Sequence, residues 1–135
     1  MKQTLSRVSL LVDDYDTAIA HYPDALGFEL LENTDRGGGK RWVRAAPHRG
    51  SGSGLLLAKA GDAAQRDRIG DQHGGRAGFF LQTDYFWRDY RAMQANGVEF
   101  METPRQETYS TMAVFGDHYG NRWDLPQAND VGDGA

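Results

Sequence analysis

The sequence contains no cysteine. That excludes disulfides, thiolate nucleophiles and cysteine-built zinc sites, and it agrees with a reducing cytoplasm. Long hydrophobic runs are missing too: no apolar stretch approaches the roughly 20 residues that cross a bilayer. The opening Met1-Lys2-Gln3-Thr4-Leu5-Ser6 lacks the apolar core of a signal peptide. There is also no excess of basic charge. Fifteen Lys and Arg stand against nineteen Asp and Glu, for a formal charge of −4. The basic residues form no stripe, which excludes a protein that tracks nucleic-acid phosphates. The expectation is a soluble cytoplasmic protein with no nucleic-acid and no membrane partner.

What is present is enough for one domain: 135 residues and 15.0 kDa bury a core without staples. The most informative stretch runs from Met112 to Leu125. Met112-Ala113-Val114-Phe115 leads in, Asp117 to Asn121 supplies turn chemistry with Gly120 free to take positive φ, and Arg122-Trp123-Asp124-Leu125 leads out in strict alternation. This predicts a β-hairpin. If Trp123 and Leu125 face a core, Arg122 and Asp124 face the other way, which places a carboxylate on a concave face; an ordinary solvated strand remains the alternative.

Taken in order, Leu5 to Val12 reads as a strand. Asp13 or Asp14 caps a helix patterned by Tyr15, Ile19 and Tyr22, which Pro23 ends or distorts near Tyr22, with Gly27 as the stop after Leu26. Strands follow at Phe28 to Glu32, Arg41 to Ala45 and Leu55 to Ala58, separated by glycine-marked turns. Lys59 to Gly75 reads as a linker with a short helix around Asp62 to Ile69. Arg76 to Thr83 restarts the strand pattern, Asp84 caps a helix from Tyr85 to Asn96, and Val98 to Met101 is a strand. Thr103 to Tyr109 reads as a polar loop, and Ala128 to Ala135 as a frayed tail.

The two halves match. Asp14-Tyr15, Gly27 and Glu29 recur as Asp84-Tyr85, Gly97 and Glu99, an offset of about seventy residues. The unit is strand, helix, three strands, used twice. One copy is too small to bury its apolar face, so an α+β fold is expected: two tandem βαβββ modules forming a partly closed eight-stranded sheet around a ligand cup. The expected boundaries are residues 4-58 for the first module, 59-75 for the linker and 76-127 for the second, all within a single domain over 1-127.

Leu10 to Ile19, Tyr22 with Leu26-Gly27-Phe28-Glu29-Leu30, Asn96-Gly97-Val98, and Val114 to Leu125 together make the sequence resemble the vicinal oxygen chelate superfamily. That is the glyoxalase, bleomycin-resistance and extradiol-dioxygenase group. Asp-x-x-Gly-Asn-x-Trp-Asp-Leu at 117–125 is its most specific motif here. Enzymes of the group hold a divalent metal with four side chains, from the first and last strand of each module. The resemblance carries those positions onto Arg7, Leu57, Gly78 and Asp124, of which only Asp124 can bind a metal. A catalytic site needs about three protein ligands. None of the four histidines, His21, His48, His73 and His118, is expected on an inward strand position. No cofactor is therefore expected, with a divalent metal as the alternative.

The same carry-over lines the cup with Arg7, Ser9, Leu55, Leu57, Gly78, Phe80, Arg122 and Asp124. That is an apolar pocket with two arginines and one acid, the composition of a small-molecule site. Gly78 would leave room where a bulkier ligand side chain would sit. Asp124 is expected to pair with Arg122 or Arg7, and otherwise to titrate upward. The loop at Arg105 to Tyr109 and Trp42 are rim candidates. The resemblance thus implies a small-molecule-binding protein, a homodimer, with a role in sequestration or resistance; the overall acidity would suit a cationic ligand. The alternative is an enzyme, a lactoylglutathione-lyase-like or dioxygenase-like catalyst with Asp124 as its base.

Overall fold

The alternation of the first strand decides which face of the first sheet is covered. In the computed structural model, which describes residues 2–128, β1 (Arg7–Val12) buries Leu10 and Val12 completely and exposes Arg7 and Ser9. After it come α1 (Tyr15–Leu26), β2 (Glu29–Gly37), β3 (Lys40–Ala46) and β4 (Gly54–Lys59). The strand order is β1-β4-β3-β2, with β1 parallel to β4 and the other neighbours antiparallel. α1 packs on β2, β3 and β4 through a stripe of Tyr15, Ala18 and Tyr22, and the sheet contributes Val43, Ala45, Leu55 and Leu57 to the same core.

Asp14, not Asp13, is the cap of α1: its carboxylate accepts from the Thr17 amide and hydroxyl, both at 2.9 Å. Those bonds, the amide's first, hold the Asp14 carboxyl below its ordinary range. Of the two effects expected of Pro23, it does not end the helix, which runs to Leu26 and stops at Gly27 as expected. Proline removes only its own amide donor, and the last turn is closed beyond it by the Gly27 amide on the Pro23 carbonyl and the Phe28 amide on the Tyr22 carbonyl, both 3.0 Å. Gly27 makes this possible at φ 78°.

The segment read as a linker belongs largely to this first unit, which ends between Gln72 and His73. α2 (Ala63–Asp67) packs on β1, and the Gln72 carboxamide accepts from the Leu11 amide at 3.0 Å and donates to the Ser9 carbonyl at 2.8 Å. A single side chain thus completes the backbone bonding of an edge strand.

The second unit repeats the plan with β5 (Ala77–Phe80), α3 (Phe86–Ala95), β6 (Glu99–Phe100), β7 (Arg105–Gln106), β8 (Ser110–Gly116) and β9 (Arg122–Ala128). Its order is β5-β9-β8-β6, with β5 parallel to β9 and β7 paired to β8. The α+β class and the twice-used unit are therefore borne out, and sheets of four and five strands roughly match the expected count of eight. The additional strand is β7, inside the stretch read as a polar loop. Asp84 is not the cap of α3. Thr83 Oγ1 takes the Tyr85 amide at 3.1 Å and Gln127 takes the Phe86 amide, while Asp84 pairs with Arg88 at 2.7 Å. Of the expected tail, Ala128 ends β9 and the remainder lies outside the described residues. Among the described residues no helix is long and apolar enough to cross a membrane.

The β8–β9 hairpin is pinned by one buried carboxylate. Asp117 Oδ1 accepts from the Tyr119 and Asn121 amides, both at 3.0 Å, and Oδ2 from Asn121 Nδ2 and Trp123 Nε1, both at 3.0 Å. Asp117 and Asn121 are only 7% and 4% exposed, so water does not substitute for these bonds. Removing the carboxylate strands several buried donors, each costing about 1–3 kcal/mol. Asp117→Ala should therefore lower unfolding free energy by about 3 kcal/mol or more, and Trp123→Phe, which removes one donor, by less. Urea denaturation of the two variants checks the order. A loss below about 1 kcal/mol for Asp117→Ala would remove the carboxylate from this role.

Candidate functional site

Registered neighbours in a sheet point to the same face, so the pairing of β1 with β4 sorts the expected site residues directly. Arg7 pairs with Gly54, Ser9 with Leu56, and Leu10 with Leu57. The open face therefore holds Arg7, Ser9 and Leu56. Leu57, expected on it, is 1% exposed on the helix-covered face, and Leu55 is buried there as well. The run Leu55-Leu56-Leu57-Ala58 is apolar throughout and carries no alternation, so pairing alone decides its faces. β3 adds Trp42 and Arg44 to the open face, since Arg44 pairs with Leu56.

Trp42 is the centre of this face. Its indole is half-buried, and the guanidinium carbons of Arg7 and Arg36 each lie 5.6 Å from a ring centroid. Beside it opens a depression of about 790 Å³ at the ends of β3 and β4 and the β2–β3 hairpin, lined by Leu56, Ala58 and also by Leu57, with Tyr15 of α1 at its side and Arg36, Lys40, Arg41 and Lys59 as cations. No acid lines it. Arg41 is committed elsewhere: it bonds Asp16 at 2.9 Å and Asn33, and lies 5.1 Å over the Tyr15 ring. The acidic total charge gave no hint of this cationic rim.

The second unit holds the other expected residues. Gly78 does not leave open room: a Cβ there would lie 2.1 Å from His73 Nδ1, because the His73 ring fills that space, edge-on to Phe79 at 4.9 Å. Phe79 stacks on Trp123 at 4.6 Å, on the covered face. Phe80 is 69% exposed and pairs with Asp124. Arg122 is exposed at the start of β9, while Trp123 and Leu125 are buried and Asp124 is half-buried, the alternation expected of this hairpin.

Asp124 does not pair with Arg122. Among the described residues it makes no ion pair, and its Oδ1 is buried without a hydrogen-bond partner. Arg7 lies in the first unit, against Trp42. Desolvation raises the Asp124 carboxyl above its ordinary range, opposed by the charge of Arg105 and reinforced by that of Glu102. Arg105 is turned away from full service to Asp124 by Glu102, 3.2 Å from its Nε, and that glutamate also accepts the Val114 amide at 2.9 Å. The only sequence signal for this arrangement was the basic and acidic mixture of the rim loop.

A divalent metal does not fit these donors. Replacing Leu57 by the correctly facing Leu56 supplies no lone pair, Arg7 is a permanent cation, and Gly78 has no side chain. Among the described residues no three His, Asp or Glu side chains gather.

The raised Asp124 pKa has a defined consequence for stability. The folded state keeps the proton to higher pH than the unfolded state, so this group's contribution falls as pH rises from its ordinary value of 3.8 through the raised one. Asp124→Asn should then be more stable than wild type at pH 7, with the difference closing toward pH 3.8. Thermal unfolding across pH and the ¹³C shift of the Asp124 carboxyl measure it; a midpoint below 3.8 contradicts the assignment.

Comparison with known proteins places this geometry in context. The chain is 49% identical over 131 residues to an uncharacterised protein of Shewanella frigidimarina, covering 96% of this chain and 97% of that one. Its structure is similar to that of UcmS2, with a TM-score of 0.81, 30% identity and coverage of 93% and 98%. It is also similar to TnmS3, an antibiotic binding protein from Streptomyces sp. CB03234, with a TM-score of 0.74, 26% identity and coverage of 96% and 98%. A profile of one family matches residues 4–125, nearly all of the described chain, and the protein belongs to that family, the Glyoxalase/Bleomycin resistance protein/Dioxygenase superfamily.

Proposed function

We propose that this protein binds an aromatic small molecule against Trp42 without a metal, and that sequestration of the ligand is its role. The observation that carries the reading is the half-buried indole, with two guanidinium groups each 5.6 Å from it, beside a depression of about 790 Å³ with apolar lining. An indole held in this way offers a flat apolar surface whose orientation is fixed before the ligand arrives, which reduces the ordering cost of binding. The apolar lining with a few charged groups is the usual make-up of a ligand site. The description of TnmS3 as an antibiotic binding protein supports the same class of function.

A second reading rests on Asp124. A half-buried carboxylate oxygen with no partner and a raised pKa suits a proton acceptor, so a lyase-like proton transfer next to a carbonyl would use this residue as its base. That reading predicts turnover of an α-keto aldehyde–thiol adduct that Asp124→Asn abolishes.

For the leading reading, a panel of polycyclic aromatic compounds is titrated while tryptophan fluorescence and thermal stability are followed. A compound that binds should quench emission in the wild type. Trp42→Ala should weaken it by about tenfold, roughly 1.4 kcal/mol, without loss of fold by circular dichroism. Unchanged affinity in Trp42→Ala would move the site away from this face.

A further inference from the structure

We infer that the ligand of the Trp42 site is an aromatic compound carrying an oxyanion, and that Arg7 is the residue that selects it. The inference rests on the Trp42 reading and adds the substrate class. Its basis is a second, smaller cavity of about 200 Å³ in the same unit, lined by Arg7, Arg44 and Arg49 together with Ser51, Ser53 and Gly54.

Three arginines line it, and they differ in how far they are neutralised. Arg44 turns its Nε to Glu32 at 3.0 Å, and Arg49 its Nε to Glu29 at 3.4 Å. The bond from Arg44 holds the Glu32 carboxyl below its ordinary range, so this acid stays ionised and compensates Arg44. Arg7 has no ion-pair partner among the described residues; its contact is the Trp42 ring. The cavity is thus left with one uncompensated guanidinium, from a residue that touches both the cavity and the indole.

The hydroxyls sharpen the choice. Ser51 Oγ donates to the Ser53 carbonyl at 3.0 Å and Ser53 Oγ to the Leu5 carbonyl at 2.7 Å, so neither offers a proton to a ligand. Recognition falls to guanidinium N–H groups, whose planar fork matches a carboxylate or sulfonate. Gly54 shares the face of Arg7, and a Cβ there would lie 2.9 Å from the Ala45 carbonyl oxygen, so the close approach of β4 to β3 at this edge of the cavity requires a glycine. The anion then belongs beside Arg7 and the ring against Trp42, because the Arg7 guanidinium lies 5.6 Å from the indole.

The test uses a matched pair of probes, pyrenebutyrate and the neutral pyrenebutanol, titrated by isothermal calorimetry into wild type, Arg7→Gln, Arg7→Lys and Trp42→Ala at pH 7 and low salt. Wild type should bind the carboxylate about tenfold more tightly than the alcohol. Arg7→Gln should abolish that preference, so that this variant binds the two probes equally, and Arg7→Lys should retain part of it because the charge remains. Equal binding of the two probes by wild type, with both weakened in Trp42→Ala, would overturn the oxyanion inference and leave the Trp42 site standing. A preference that survives Arg7→Gln would overturn the role of Arg7. Failure of both probes to bind would overturn the inference and the Trp42 reading together.

Discussion

Strand register is the constraint on which everything else in this protein depends. Each sheet has one helix-covered face and one open face, so a slip of one residue would carry a strand's whole apolar set to the wrong side. The two units hold register by different means. In the second, Asp117 ties the hairpin amides to the Trp123 indole, and Trp123 then stacks on Phe79 and Phe115 at 4.6 and 5.8 Å. With Trp123 fixed on the covered face, Asp124 has no choice but the other. In the first unit Gln72 bonds the free edge of β1 at Ser9 and Leu11, which keeps Leu10 and Val12 inward and Arg7 and Ser9 outward.

This accounts for what the sequence discloses and what it hides. The hairpin from Met112 to Leu125 was legible because turn chemistry and alternation coincide there, and the repeat because each half carries its own helix start and glycine stop. Leu57 was misplaced because a run of four apolar residues has no period; only the pairing of Ser9 with Leu56 resolves it. Gly27 was legible as the stop of α1, whereas Pro23, read as ending or distorting the helix, sits inside it because the Gly27 and Phe28 amides close the final turn beyond it. His73 filling the space over Gly78 was invisible, since a glycine in a strand announces room and not its occupant. Trp42 could be flagged as a rim candidate, but its two guanidinium neighbours come from β1 and β2, brought together only by the sheet.

Net charge misled for a related reason. The formal charge of −4 is an average over surfaces that the fold sorts by position. In the first unit, Glu29 and Glu32 are spent on Arg49 and Arg44, and Asp16 on Arg41, which leaves the depression beside Trp42 without an acid in its lining. A ligand responds to the groups within a few ångströms of it, because more distant exposed charges are screened over about 10 Å at ordinary ionic strength.

The same reasoning separates the chemistry of the two units. In the first, the position that family resemblance would give to a metal ligand holds Arg7, a group with five donors, no lone pair and a permanent positive charge. It repels a cation and attracts an oxyanion, so the change of residue type reverses the sign of what that corner can bind. In the second, Asp124 retains a donor atom but stands without companions, and its half-buried oxygen is raised in pKa where a metal would have lowered it. Register decides where side chains point, and residue type alone decides what they meet.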